Sequence, residues 1–242
     1  NNTKVTEILH EKNITKGVIA DQKKYHSEIV VSNMDVFLSY RTLLKDIKAP
    51  ERLLKQERSS SALVYYWGIG RSFKDLQLHN IFFSNNYPEE FHYLFEKKDI
   101  YEDPTIYVNI SSKESPPDAP EGHENWFVMV NAPTNDGQDW NEIASRTRKM
   151  VISKLNSILG TNIEDHIIDE YIWSPEGIEE QTSSYKGSLY GTSSNSKFAA
   201  FLRHPNFSRR LKNLYFVGGS VHPGGGIPLV LKSAKITSDL IK

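Results

Sequence analysis

The sequence predicts a mixed α/β (α+β) protein in which short strands and helices share the 242 residues. Three observations carry that expectation. The N-terminal stretch consists of short runs rich in β-branched residues. Asp139–Leu159 keeps the helical period. Residues 213–242 read as a strand, a glycine-rich turn and a helix.

Taken in order, Lys4–His10 and Thr15–Asp21 carry β-branched residues around Asn13 and Gly17, which suit turns. Glu28–Ser32 is a compact apolar strand ended by Asn33 and Asp35, so a β-meander is expected to lead into a buried sheet. Val36–Ile47 reads as a helix with Phe37, Tyr40, Leu43, Leu44 and Ile47 on one side, stopped by Ala49-Pro50. Glu51–Arg58 follows as a polar helical connector. Ser61–Ile69, Ile81–Phe83, Thr105–Val108 and Trp126–Asn131 are strand-like, with a helix over Tyr87–Lys97. In Asp139–Leu159, Trp140, Ile143, Ala144, Met150, Val151, Leu155 and Ile158 approximate one helical face, and Gly160 suits the C-terminal cap. Ile163–Trp173 reads as a helix end plus a strand, and Pro175–Ser196 as a loop. No internal repeat is present.

Composition removes several function classes. The 29 basic and 30 acidic residues are well mixed, which argues against a nucleic-acid partner. There are no cysteines, so thiolate catalysis, cysteine–zinc sites and iron–sulfur clusters are excluded, and the composition fits a reducing compartment. His79, His123, His166 and His204 are widely separated and no His-x-x-x-His occurs, so no metal site is expected. Ser220 and His222 do not complete Gly-x-Ser-x-Gly, because His222 stands at the fifth position. No carboxylate pair can be singled out as acid and base, so no catalytic residue is named. Leu214–Leu231 is uncharged, but glycines and prolines interrupt it, so it does not read as a membrane span. The chain opens at Asn1 without a methionine and runs straight into a strand, which reads as a cut inside a domain.

The C-terminal unit is the most informative. Asn213–Val217 is a short apolar strand, Gly218-Gly219-Ser220 a sharp turn, and Pro228 sits where the first turn of a helix tolerates it. Five of the 14 glycines lie between 218 and 226. Glycines let backbone approach a ligand closely, and a helix start presents free N–H groups and a positive dipole end. Neither Gly-x-Gly-x-x-Gly nor a P-loop is present.

Asn213-Leu214-Tyr215-Phe216-Val217-Gly218-Gly219-Ser220-Val221-His222-Pro223-Gly224-Gly225-Gly226-Ile227-Pro228 resembles the terminal signature of phytoene-desaturase-type carotenoid desaturases. Val30–Asp35, His79–Ser84 and Asp103–Val108 resemble further segments of that family, in the same order. The resemblance runs from residue 3 to the end, and the family's N-terminal dinucleotide-binding motif is not in it.

The resemblance implies a two-domain FAD flavoprotein of the amine-oxidase/phytoene-desaturase type. Residues 1–36 and 205–242 would form a partial FAD domain, and 37–204 a carotenoid-binding domain of mixed sheet and helices. Val5 would lie on the strand touching the adenine. Gly218, Gly219 and Ser220 would approach the ribityl–phosphate region, and Gly226, Ile227, Pro228 and Leu229 would lie against the flavin ring. In related flavoproteins a carboxylate often binds the cofactor where Gly219 stands here. The implied reaction is FAD-dependent introduction of C=C bonds into an acyclic carotenoid, leaning toward 3,4-desaturation of a hydroxycarotenoid. Phytoene desaturation, polyene isomerisation or saturation, and non-catalytic polyene carriage are the alternatives. An insoluble substrate implies a cytoplasmic protein with peripheral membrane contact. The oligomeric state is not implied.

Overall fold

The computed structural model describes residues 3–193 and 202–241. The chain folds into two compact units, residues 1–59 with 180–242 and residues 60–179.

The first unit opens with three antiparallel strands, β1 (Val5–Glu11), β2 (Ile14–Ala20) and β3 (Lys23–His26), in the order β1-β2-β3. The turns fall at Lys12-Asn13 and Asp21-Gln22, each with two consecutive positive φ angles. That backbone twist matches the twist of the flanking strands. Gly17 is therefore not a turn residue. It lies inside β2 at φ +134, where an added Cβ would stand 1.9 Å from the Tyr25 carbonyl oxygen. A glycine within a strand often marks a close backbone approach of this kind.

β4 (Val30–Ser32) then pairs in parallel with β10 (Leu214–Phe216). After β4 the Asp35 carboxylate accepts the Phe37 N–H at 2.9 Å and caps α1 (Val36–Leu38), which winds into a π turn over Ser39–Leu43. The helix expected to reach Ile47 thus ends early, and α2 (Glu51–Leu54) is a single turn. Val36, Tyr40, Leu43, Leu44 and Leu54 pack with Ile8, Leu211, Leu214, Phe216 and Val221 as this unit's core. That packing places residues 36–54 in the first unit.

In the second unit β5 (Ser61–Ile69), β6 (His79–Phe82), β7 (Ile106–Asn109), β8 (Glu124–Ala132) and β9 (Ile167–Trp173) form one sheet, in the order β6-β7-β8-β5-β9 with every pair antiparallel. α3 (Tyr87–His92) continues into a π turn at Tyr93–Lys97. α4 (Trp140–Leu159) is capped by Asp139, whose side chain accepts the Asn141 and Glu142 N–H groups, and ends at the left-handed Gly160. Leu63, Tyr65, Trp67 and Ile69 of β5 pack with Trp126, Val128 and Val130 of β8 and with Trp140, Ile143, Val151 and Leu155 of α4. Side chains alternate across a strand, so Tyr66, Phe127 and Tyr107 are left on the opposite face.

Pro175–Ser196 reads from sequence as a loop, but α5 (Pro175–Thr182) is helical. Gly177 lowers its propensity, yet a Cβ there would sit 3.1 Å from the Trp173 ring, so the glycine is a packing choice. Residues 194–196 of that expected loop lie outside the described residues. Segment 188–191 bonds to Arg58 and Ser59 within the first unit. The last element, α6 (Ile227–Ile241), follows the glycine turn as expected.

Gly17→Ala should lower the unfolding free energy by about 1–3 kcal/mol, the cost of strained backbone, because the new methyl meets a carbonyl oxygen. Urea denaturation measures it, and a loss within about 0.5 kcal/mol would contradict the close approach of β2 to β3.

Candidate functional site

Parallel strands place their following loops side by side, and ligands of open α/β sheets bind beyond the carboxyl ends of the strands. Here the β4–β10 pair sends Asn33–Asp35 and Gly218–Ser220 out together, with the Val217 N–H donating to the Ser32 carbonyl at 3.0 Å. Gly218 has φ +114, and a Cβ on it would come 2.7 Å from Asn33 Oδ1, so no larger residue fits without moving Asn33. Gly219 backs onto Gly225 at ordinary contact distance. The Ser220 hydroxyl points inward and accepts the Val36 N–H at 3.0 Å, tying the turn to the start of α1.

The far arm of the loop is covered by its own chain on one side. A Cβ on Gly225 would meet Tyr190 at 2.5 Å, and one on Gly224 would meet the Arg203 guanidinium at 3.0 Å. Arg203 also donates to the Tyr190 carbonyl at 3.1 Å. Gly226 is different: at φ +92 it has nothing within 4 Å of where a Cβ would be. Ile227 beyond it is 80% exposed, and Pro228 and Leu229 are exposed too. The Val230 N–H closes the first turn of α6 on the Gly226 carbonyl at 2.9 Å.

Seven of the eight residues picked out from the sequence thus lie along one loop and helix start. Gly218 and Gly219 offer backbone, Ser220 braces, and Gly226–Leu229 form an open apolar shelf at a helix N-terminus. Val5 stands apart. It begins β1 opposite Ala20, is exposed, and belongs to neither buried cluster.

Residues that the sequence reading missed hold this loop from below. Segment 204–207 runs beside both arms, with bridges His204↔Val221 and Phe207↔Tyr215. The sequence alone considers His204 only to set it aside as a metal ligand. It is buried against Phe216, donates from Nδ1 to the Pro205 carbonyl at 2.7 Å and, in that tautomer, accepts the Tyr40 hydroxyl on Nε2 at 3.2 Å. Among the described residues no group of side chains is arranged to hold a metal ion. Asp35 and Arg58 form a buried ion pair, in which Arg58 also donates to the Ser188 hydroxyl at 3.1 Å.

The second unit carries a separate surface. On the sheet face away from α4, Tyr171, Tyr66, Phe127 and Tyr107 form a row, with ring centroids 6.0, 5.4 and 6.2 Å apart in turn. At its edge the Tyr107 hydroxyl lies 2.8 Å from His79 Nδ1. Tyr66, Tyr171 and Ile81 are exposed. The row is elongated and aromatic, with tyrosine hydroxyls along it.

Similarity to known proteins decides what this arrangement is related to. The chain is 58% identical over 237 residues, 98% of its length, to the 1-hydroxycarotenoid 3,4-desaturase of Flavobacterium sp. (strain P99-3). Over nearly its whole length the chain is similar to a carotenoid desaturase. It is also 36% identical over 233 residues, 94% of its length, to the 4,4'-diaponeurosporene oxygenase of Staphylococcus haemolyticus (strain JCSC1435). It covers 49% and 46% of those proteins, so the chain spans about half the length of the curated relatives it matches. No family model matches it. Among solved structures, an oxidoreductase from Methanosarcina mazei superposes with a TM-score of 0.60 at 13% identity, over 99% of this chain and 49% of that one. That likeness shows a shared fold.

The buried imidazole gives a pH dependence of definite sign. Burial holds His204 well below its usual 6.5, at about 4, against the opposing Pro205 carbonyl bond. The unfolded chain takes up the proton first as pH falls. The neutral ring's contribution is therefore complete above about 6.5, declines toward pH 4 and is constant below, a change on the order of 3 kcal/mol at most. The unfolding free-energy difference between wild type and His204→Gln should shrink over that window, and a difference independent of pH would contradict a buried neutral ring.

Proposed function

We propose that this chain supplies the flavin-ring shelf and the substrate sheet of an FAD-dependent oxidoreductase that introduces C=C bonds into an acyclic carotenoid, with 3,4-desaturation of a hydroxylated carotenoid as its reaction. The observation that carries the reading is the 58% identity across 98% of the chain to a protein of that name. The open shelf at Gly226–Leu229 is where the geometry agrees with it.

The residues present fit a flavin. Gly219, half-buried, brings bare backbone to the turn, as a phosphate-bearing chain needs, and the buried Gly218 N–H is held by Ser233. Gly226 leaves room for a flat ring, and Ile227, Pro228 and Leu229 give that ring an apolar floor. FAD, when bound, accepts a hydride from a C–H bond of the substrate. The start of α6 stabilises negative charge placed at the shelf by about 0.3–2 kcal/mol. In this reading the first unit is the FAD-domain part and Val5 its adenine-side strand, while the second unit binds substrate. The aromatic row Tyr171–Tyr66–Phe127–Tyr107 suits a long polyene, because aromatic faces stack on extended π systems.

The same reading includes peripheral membrane contact from the cytoplasmic side. No helix among the described residues is long and apolar enough to cross a membrane. Phe83, Tyr87 and Phe91 are exposed, and the last two rings pack at a tilt with centroids 4.9 Å apart, which gives the second unit an aromatic surface of the kind that partitions into a lipid interface.

The test uses the full-length protein from its natural reading frame. Purified protein should carry flavin absorbance and, with a 1-hydroxylated acyclic carotenoid in vesicles, bleach its flavin anaerobically while the carotenoid spectrum moves to longer wavelength. Gly226→Val should weaken FAD binding by about tenfold or more, since a branched side chain fills the shelf. Full-length protein that takes up polyene but never flavin would make it a carrier, and a product with equal or fewer double bonds would make it an isomerase or saturase.

A further inference from the structure

One buried side chain outside the sequence-derived set bonds both ends of the glycine loop and the helix that follows it. Asn206 is 3% exposed. Its Nδ2 faces three acceptors: the Phe216 carbonyl at 3.2 Å, the His222 carbonyl at 2.9 Å and the Ser233 hydroxyl at 2.8 Å. These belong to the last residue of β10, the far arm of the loop and the second turn of α6. Ser233 has no exposed surface and accepts the Gly218 N–H at 3.2 Å, so the amide reaches the turn through it. The main chain repeats the pattern, since the Phe216 N–H donates to the Asn206 carbonyl at 2.9 Å and the His222 N–H to the His204 carbonyl at 2.9 Å. Thr237 adds a bond to the Phe216 carbonyl at 3.1 Å.

The chemistry fixes which end of the amide points here. An oxygen at this position would face two carbonyl oxygens, so only the NH2 group suits it. A buried amide needs only ordinary partners to be satisfied. This one instead joins the strand end, the returning arm and the helix, and those three contacts set the width of the loop. The Gly218 peptide is oriented by the same chain of bonds.

We infer that Asn206, acting through Ser233, is a positioning residue that holds the Gly218 turn and the start of α6 at the separation a flavin dinucleotide requires. The inference rests on the flavin reading above. It goes further in assigning loop geometry to a residue with no ligand contact of its own.

The experiment titrates FAD into full-length apoprotein, read by quenching of flavin fluorescence, for wild type, Asn206→Asp and Ser233→Ala. Asp keeps the shape but replaces the donors with oxygens, so FAD Kd should rise about tenfold or more. Ser233→Ala removes the link to Gly218 while leaving Asn206 its two carbonyls, and should raise Kd about threefold or more. Val128→Ala, in the core of the second unit, serves as the stability control: it should lower Tm comparably and leave Kd unchanged. If the Asp variant does not fold, the Ser233→Ala result decides. Wild type binding FAD while both variants bind as tightly would overturn the inference, as would a Val128→Ala Kd rising in step with its Tm loss. Wild type that takes up no FAD would overturn the flavin reading and the inference together, and the wild-type titration tells that case apart.

Discussion

The pairing of β4 with β10 is the contact on which the rest of the first unit depends. It is three residues long on each side and joins Val30–Ser32 to Leu214–Phe216, so it closes a loop that contains the whole second unit. Closing so long a loop costs entropy that grows only slowly with its length. The burial of Leu214, Phe216, Val36 and Leu44 offsets that cost. Parallel registry then makes both strands deliver their next residues to the same edge, and three contacts of the glycine turn follow. Asn33 backs Gly218, Val36 donates to Ser220, and the Ser32 carbonyl takes the Val217 N–H. An antiparallel pair would have sent these loops to opposite ends.

A second constraint is the buried pair of Asp35 and Arg58. Removing two charges from water costs several kcal/mol each, and attraction between them repays it only with good geometry and further bonds. Those bonds exist here. Asp35 caps α1, while Arg58 also bonds Ser188 and lies over the Tyr185 ring, which stacks on Phe37 at 3.6 Å. The pair therefore fixes residues 185–188 against the segment leaving β4. Gly191, following closely, packs so near Ser220 that a Cβ would come within 2.6 Å of its Cα. The charge pair and the glycine contact together seat the 185–191 segment on the glycine loop.

Much of this was legible in the sequence, and the parts that were not share a cause. β5 and α4 could be read because their signals are local: an apolar run at Ser61–Ile69, and a helical stripe between Asp139 and Gly160. The glycine turn could be read for the same reason. Gly17 misled because its role depends on the Tyr25 carbonyl of the next strand, and α5 was missed because Gly177 breaks a helical pattern for the sake of Trp173. Asn206 and Ser233 are 27 residues apart, so only the fold brings them together at the loop. Asn206 in particular sits in a polar stretch where an asparagine is unremarkable until its three acceptors are seen.

α6 shows how the site's needs reshape an element. A surface helix ordinarily turns an apolar stripe inward. Here the two fully buried positions are Ser233 and Thr237, while Ile227 and Leu231 face outward at 80% and 66% exposure. The inward hydroxyls serve the loop: Ser233 takes the Gly218 N–H, and Thr237 and Asn206 share the Phe216 carbonyl. Replacing them with valine or leucine would bury more apolar area, but it would leave the Gly218 N–H without its acceptor and the Phe216 carbonyl without one of its donors. An unsatisfied buried polar group costs about 1–3 kcal/mol, comparable to the gain from one extra apolar side chain. Hydrophobic stabilisation alone therefore does not select a hydroxyl face. The requirement that does select it is a fixed path for residues 216–222, and the same helix then presents its apolar residues on the side where Gly226 leaves space.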